Sequence, residues 1–100
     1  MTEPILSSSV TLENRTLWFG KIELHEDQVV ISGWTWRGVS EERIPLGDIT
    51  SFEKWSVQKG PNFRLHFGQG HSVFGRIEQG IGFWAQELRR GERIKVTRRH

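Results

Sequence analysis

The chain has 100 residues, 26% of them charged and 35% hydrophobic, with a formal net charge of +2 and no cysteine. That composition fits a single globular domain and excludes a disulfide framework, a thiolate metal site, and a disordered or membrane-embedded chain. Residues 1–88 carry eight Lys/Arg against eleven Asp/Glu, and residues 89–100 carry six against one, so the basic character belongs to the C-terminal end.

No apolar run approaches the ~20 residues that span a bilayer. Met1-Thr2-Glu3-Pro4 lacks the basic start and apolar stretch of a signal peptide. The expectation is a cytoplasmic protein.

Residues 1–9, ending in Ser7-Ser8-Ser9, show no periodicity and read as a flexible leader. From Val10 the even positions Val10, Leu12, Trp18, Ile22 and Leu24 are apolar, while Thr11, Glu13, Arg15, Lys21 and Glu23 alternate with them. This is the period of a half-buried strand, with a break or bend allowed at Asn14 or Gly20. With Trp18 facing the core, Leu17 and Phe19 face outward as a candidate contact pair, unless a bend near Gly20 folds them under the rest of the domain.

Gln28 to Trp36 reads as a strand with conflicting parity. Val29 and Ile31 fall on one face, Trp34 and Trp36 on the other, with Gly33 between. A bulge at Gly33 would bring all four inward, and this reading is favoured. Without it, the two indoles form an exposed docking platform. Gly38 to Glu42 reads as a polar loop, and Arg43-Ile44-Pro45-Leu46 as a short edge strand.

Ile49 to Val57 follows as a strand with Ile49, Trp55 and Val57 in phase, then Lys59-Gly60-Pro61-Asn62 as a turn. Phe63, Leu65 and Phe67 alternate with Arg64 and His66. Gly68-Gln69-Gly70 is then a three-residue hairpin loop that pairs Phe67 with His71 and sends Val73 and Ile77 inward. Ile81, Trp84 and Leu88 lie at helical spacing, and Gly91 stops that helix. Residues 92–100 read as a basic tail, with Ile94-Lys95-Val96 as a possible short strand.

Short strands followed by one amphipathic helix, Trp84 on that helix, the Gly33-Trp34 step and the segment Ile44-Pro45-Leu46-Gly47-Asp48-Ile49 together resemble the pleckstrin-homology-like superfamily, including its short bacterial and GRAM-type members. The resemblance covers about residues 10–90, within a domain read as residues 10–91. It implies a mainly-β fold, a partly open barrel of two antiparallel sheets capped by one C-terminal α-helix, and binding to membrane lipid or protein. Phosphoinositide-binding members carry basic residues around the end of the first strand and the next loop. Lys21 is near that place, but the loop here is His25-Glu26-Asp27-Gln28, whose carboxylates repel phosphate.

Recognisable catalytic chemistry is absent from the pattern. Val73 stands where a G-x-G-x-x-G loop beginning at Gly68 needs its last glycine. His66 and His71 lack a third ligand at a useful spacing. No nucleophile is flanked by a base and an orienting group. The reading is a non-enzymatic interaction module without cofactor or metal, binding a protein partner or self-associating. Candidate contact residues are Leu17, Phe19, Trp34 and Trp36. Arg89, Arg90, Arg93, Lys95, Arg98 and Arg99 are added for an alternative in which the basic tail meets nucleic acid or an anionic membrane.

Overall fold

The computed structural model describes residues 3–90 and 94–99. Eight strands and one helix follow in the order β1 (Leu6–Leu12), β2 (Trp18–Leu24), β3 (Gln28–Thr35), β4 (Gly38–Pro45), β5 (Ile49–Trp55), β6 (Phe63–Phe67), β7 (His71–Ile77), α1 (Ile81–Arg89) and β8 (Lys95–Arg99), with a single 3-10 turn at Leu46–Asp48. They form one mixed sheet in the order β4-β3-β2-β1-β7-β6-β5-β8. All its pairings are antiparallel except β5 with β8, which is parallel. Two separate antiparallel sheets are therefore not what forms, and the sheet is open: β4 and β8 are its edges.

The sheet must nonetheless curl. β4 and β5 stand six strand spacings apart in the sheet, about 29 Å if it were flat. The chain joins Pro45 to Ile49 through only Leu46–Asp48, a reach of about 14 Å. The sheet folds over on itself, and β1 carries the bend. Its first half, Leu6–Ser9, pairs with β2, and its second half, Val10–Leu12, pairs with β7. Gly75 permits this crossing, because a Cβ there would run into the backbone of Thr11 and Leu12.

The core lies inside the curl. Val10, Leu12, Ile22, Leu24, Val29, Ile31, Ile44, Ile49, Phe52, Phe63, Leu65, Val73 and Ile77 are buried there, joined by Trp84, Ala85 and Leu88 from α1. The helix lies against β5 and β8. Trp84 is 1% exposed, so the aromatic expected to anchor the helix does so. The β6–β7 hairpin has the expected register, Phe67 opposite His71, with Gly70 in the left-handed region at φ 81°.

Both ends of the chain correct the sequence reading. Residues 6–9 of the supposed leader are strand, with Ser8 buried and its Oγ accepting from the Gln79 N–H at 3.0 Å. The C-terminal end is not a loose tail either, and the alternative of a short strand around Ile94-Lys95-Val96 is what forms. Ile94 is buried in the core and β8 adds to β5. The supposed loop from Gly38 to Glu42 is the first part of β4. On β5 a register shift between Ile49 and Ser51 makes Phe52 the core residue, leaving Trp55 half-buried and Val57 exposed.

Candidate interaction surface

The surface is created by one extra residue. β2 and β3 pair Trp18 with Trp34 and then Lys21 with Ser32. Phe19 and Gly20 on β2 therefore face only Gly33 on β3, which is a β-bulge. Phe19 takes φ 54°, and no other non-glycine residue among those described has positive φ. A single inserted residue turns every side chain before it to the opposite face. Trp18 consequently leaves the face of Ile22 and Leu24, and Leu17 takes its place.

The bulge thus lies on β2 and not at Gly33, and three expectations reverse. Leu17, expected outside, packs against the core; its side chain occupies the space where a Cβ on Gly33 would stand. Trp18, expected inside, is exposed. Trp34 and Trp36 are not drawn in by a bulge on their own strand and also face solvent. Of the sequence candidates Leu17 and Phe19, only Phe19 stays on the surface.

Cross-strand register gathers these residues. Trp18 is opposite Trp34, and Trp34 is opposite Val39, so the three form one row across β2, β3 and β4 on the outer face. Phe19 follows Trp18, and Trp36 lies in the two-residue turn between β3 and β4. The exposures are 51% for Trp18, 88% for Phe19, 53% for Trp34, 77% for Trp36 and 70% for Val39. The Arg37 guanidinium lies over the Trp36 ring, 4.7 Å from its centre, a cation–π contact that keeps that indole presented beside a positive charge. The turn is tied by Thr35, whose hydroxyl donates to the Gly38 carbonyl at 3.1 Å and accepts from the Arg37 N–H at 3.2 Å.

Behind the row, the outer face is charged. Lys21 meets Glu23 at 3.4 Å, and Arg43 meets Glu41 at 3.1 Å. On the inner side, Arg15 from the β1–β2 loop reaches Glu42 of β4 at 2.6 Å and closes that end of the curl.

No protein-family model and no curated protein matches this chain. The surface is therefore judged on its own chemistry. Three large apolar side chains, Trp18, Trp34 and Val39, stand in one exposed row, with exposed Phe19 and Trp36 next to it in the chain, whereas solitary exposed apolar residues are ordinary on any protein.

The basic candidates are more scattered. Arg89 and Arg90 are exposed at the end of α1, with Arg90 3.3 Å from Glu87. Lys95 is exposed on β8. Arg93 lies outside the described residues, as do the side chains of Arg98 and Arg99. Of the histidines, His66 meets Glu53 at 3.1 Å and His71 stacks on Phe67 with ring centres 5.7 Å apart. Among the described residues no group of three or more His, Cys, Asp or Glu is placed to hold a metal ion, and no helix is long and apolar enough to cross a membrane.

Val39 and Trp18 are the members of the surface that alternation missed. The signal for Val39 was present: it is a β-branched residue two positions beyond an exposed turn, in a stretch read as polar loop.

Proposed function

We propose that this chain is a non-catalytic interaction module, built on a pleckstrin-homology-like plan, that binds a protein partner or a second copy of itself through the Trp18–Trp34–Val39 row and its neighbours Phe19 and Trp36. The observation that carries this reading is Phe19. A bulky residue in the left-handed region costs roughly 1–2 kcal/mol relative to its ordinary conformation. Here that residue is almost fully exposed and recovers nothing by burial. The same bulge turns Trp18 outward beside Trp34. Local strain that places aromatic rings in water is unfavourable for folding, and it makes sense where those rings have something to contact. Trp and Arg are also side chains that dominate binding energy at protein interfaces, and Phe is enriched there.

The test is co-purification from lysate by the wild-type domain and by a Trp34→Ser/Trp36→Ser variant, at low and at high salt, alongside sedimentation with phosphatidylserine vesicles and with duplex DNA. An apolar protein contact survives high salt and is lost in the variant. Binding to vesicles or DNA that falls steeply with salt and ignores the two substitutions would instead assign the activity to the basic residues near the C-terminus.

A further inference from the structure

We propose that the free edge of β4 pairs with β4 of a second copy, antiparallel, about a two-fold axis at Glu42. This deepens the reading above by naming one partner, and it rests on that reading only in taking the molecule as an interaction module.

The argument begins with the direction of the backbone groups. The Leu46 N–H donates to the Asp27 carbonyl at 3.0 Å, which extends the β3–β4 register of Gln28 opposite Pro45 by one hydrogen-bonded pair. Antiparallel ladders alternate bonded and non-bonded pairs. Ile44, Glu42 and Ser40 therefore turn their backbone groups toward β3, and Val39, Glu41 and Arg43 turn theirs out of the sheet. Among the described residues no strand covers that side of β4. Such an edge is a template for another strand. Pro45, which has no N–H, is also outward-pointing, so the proline limits the template without breaking β4 from β3.

Charge then selects the register. The outward backbone groups belong to residues whose side chains lie on the outer face: Val39, exposed Glu41 and exposed Arg43. Placing Glu41 opposite Glu41 of the partner subunit, or Arg43 opposite Arg43 of the partner subunit, sets like charges face to face, which is unfavourable. One register between them sets Glu41 opposite the partner's Arg43 and Arg43 opposite the partner's Glu41. In that register Val39 meets the partner's Pro45, so the apolar row gains a fourth member across the interface.

The two-fold axis brings Glu42 opposite the partner's Glu42 on the inner face. This is the one like-charge contact of the register, and the Arg15 guanidinium 2.6 Å from each Glu42 offsets it, whereas on the outer face the intrachain Arg43–Glu41 pair at 3.1 Å is joined by two interchain pairs of opposite charge. The contact is self-complementary, as a closed dimer requires.

Sedimentation velocity over a concentration series tests the proposal. The wild type should dimerise. Glu41→Arg and Arg43→Glu should each stay folded, with an unchanged melting temperature, and weaken the dimer about tenfold or more by facing like charges twice. The double exchange Glu41→Arg/Arg43→Glu should restore it, and the two single variants mixed together should form a heterodimer.

A wild type that stays monomeric into the millimolar range overturns the proposal. So does a dimer indifferent to all these exchanges, or one abolished by Trp34→Ser/Trp36→Ser, which would put self-association on the aromatic row. A monomeric wild type whose protein binding is lost in the tryptophan variant removes this inference and leaves the proposed function standing.

Discussion

Two residues show how differently a single position can be determined. Phe19 is strained and exposed. Glycine occupies the left-handed region without that penalty and loses little packing here, though its unfolded chain has more entropy to give up. Phe19→Gly should therefore leave the fold intact and raise stability by up to about 1 kcal/mol, measured by urea denaturation, while weakening partner binding. A destabilised variant would show that the ring packs in solution. Asn62 is the opposite case, a buried side chain whose two polar atoms each have a partner. Its Nδ2 donates to the Ile77 carbonyl at 3.0 Å, and its Oδ1 accepts from the Ile77 N–H at 2.9 Å. It substitutes for a strand partner where β6 has not yet begun. Asn62→Ala leaves two buried backbone groups without partners and should cost about 2–6 kcal/mol, at ~1–3 per group; a variant that melts with the wild type would contradict this.

At the scale of elements, the sequence is legible where pattern and punctuation agree. The β6–β7 hairpin has clean alternation and a glycine at the loop position that turns left-handed, so both its register and its inward residues follow from the residues alone. The stripe Ile81, Trp84, Leu88 likewise places α1. Alternation fails at β2 because it reports that parity breaks, not which strand takes the extra residue. Gly33 is the residue type that usually marks a bulge, yet the bulge sits at Phe19, whose side chain gives no sign of positive φ. The surface was thus half visible: Phe19 by parity, Trp34 and Trp36 only in the reading without a bulge at Gly33, and Trp18 and Leu17 with their roles exchanged. β8 was seen only in part, as the alternative strand at Ile94-Lys95-Val96, since Lys95, Arg98 and Arg99 mask a strand whose entry is fixed by the burial of Ile94. Deleting residues 94–100 removes buried Ile94, half-buried Val96 and the parallel partner of β5. The loss should be about 3–5 kcal/mol, counting ~1.5–3 for a fully buried aliphatic side chain and less for Val96, a large share of the ~5–15 typical of a domain. A lowered and broadened melting transition is expected; an unchanged one would return these residues to a frayed tail.

For the whole molecule, the curl decides how the two faces are used. A short link between β4 and β5 encloses the inner face as core, and the outer face of β2, β3 and β4 carries the exposed Trp18, Trp34 and Val39. The aromatic row sits at one end of that face and the free edge beside it, so platform and edge are presented together on a rigid three-stranded meander rather than on loops. Contact between strands distant in sequence also predicts a refolding rate in the millisecond-to-second range, slower than a helical protein of this size, observable by stopped-flow fluorescence.

The division of β1 between two neighbours has a consequence for synthesis on the ribosome. Its first half meets β2 as soon as residue 24 has emerged, but Val10 must wait for Ile77. For most of translation the nascent chain can hold only the β1–β4 meander, with its apolar inner face uncovered and its aromatic row already formed. The segment that shields that inner face, from β5 to Ile94, is made after it. The nascent chain is therefore most exposed to aggregation or chaperone capture before Ile94 appears, and emergence of that segment is the event that converts an adhesive half-sheet into a domain.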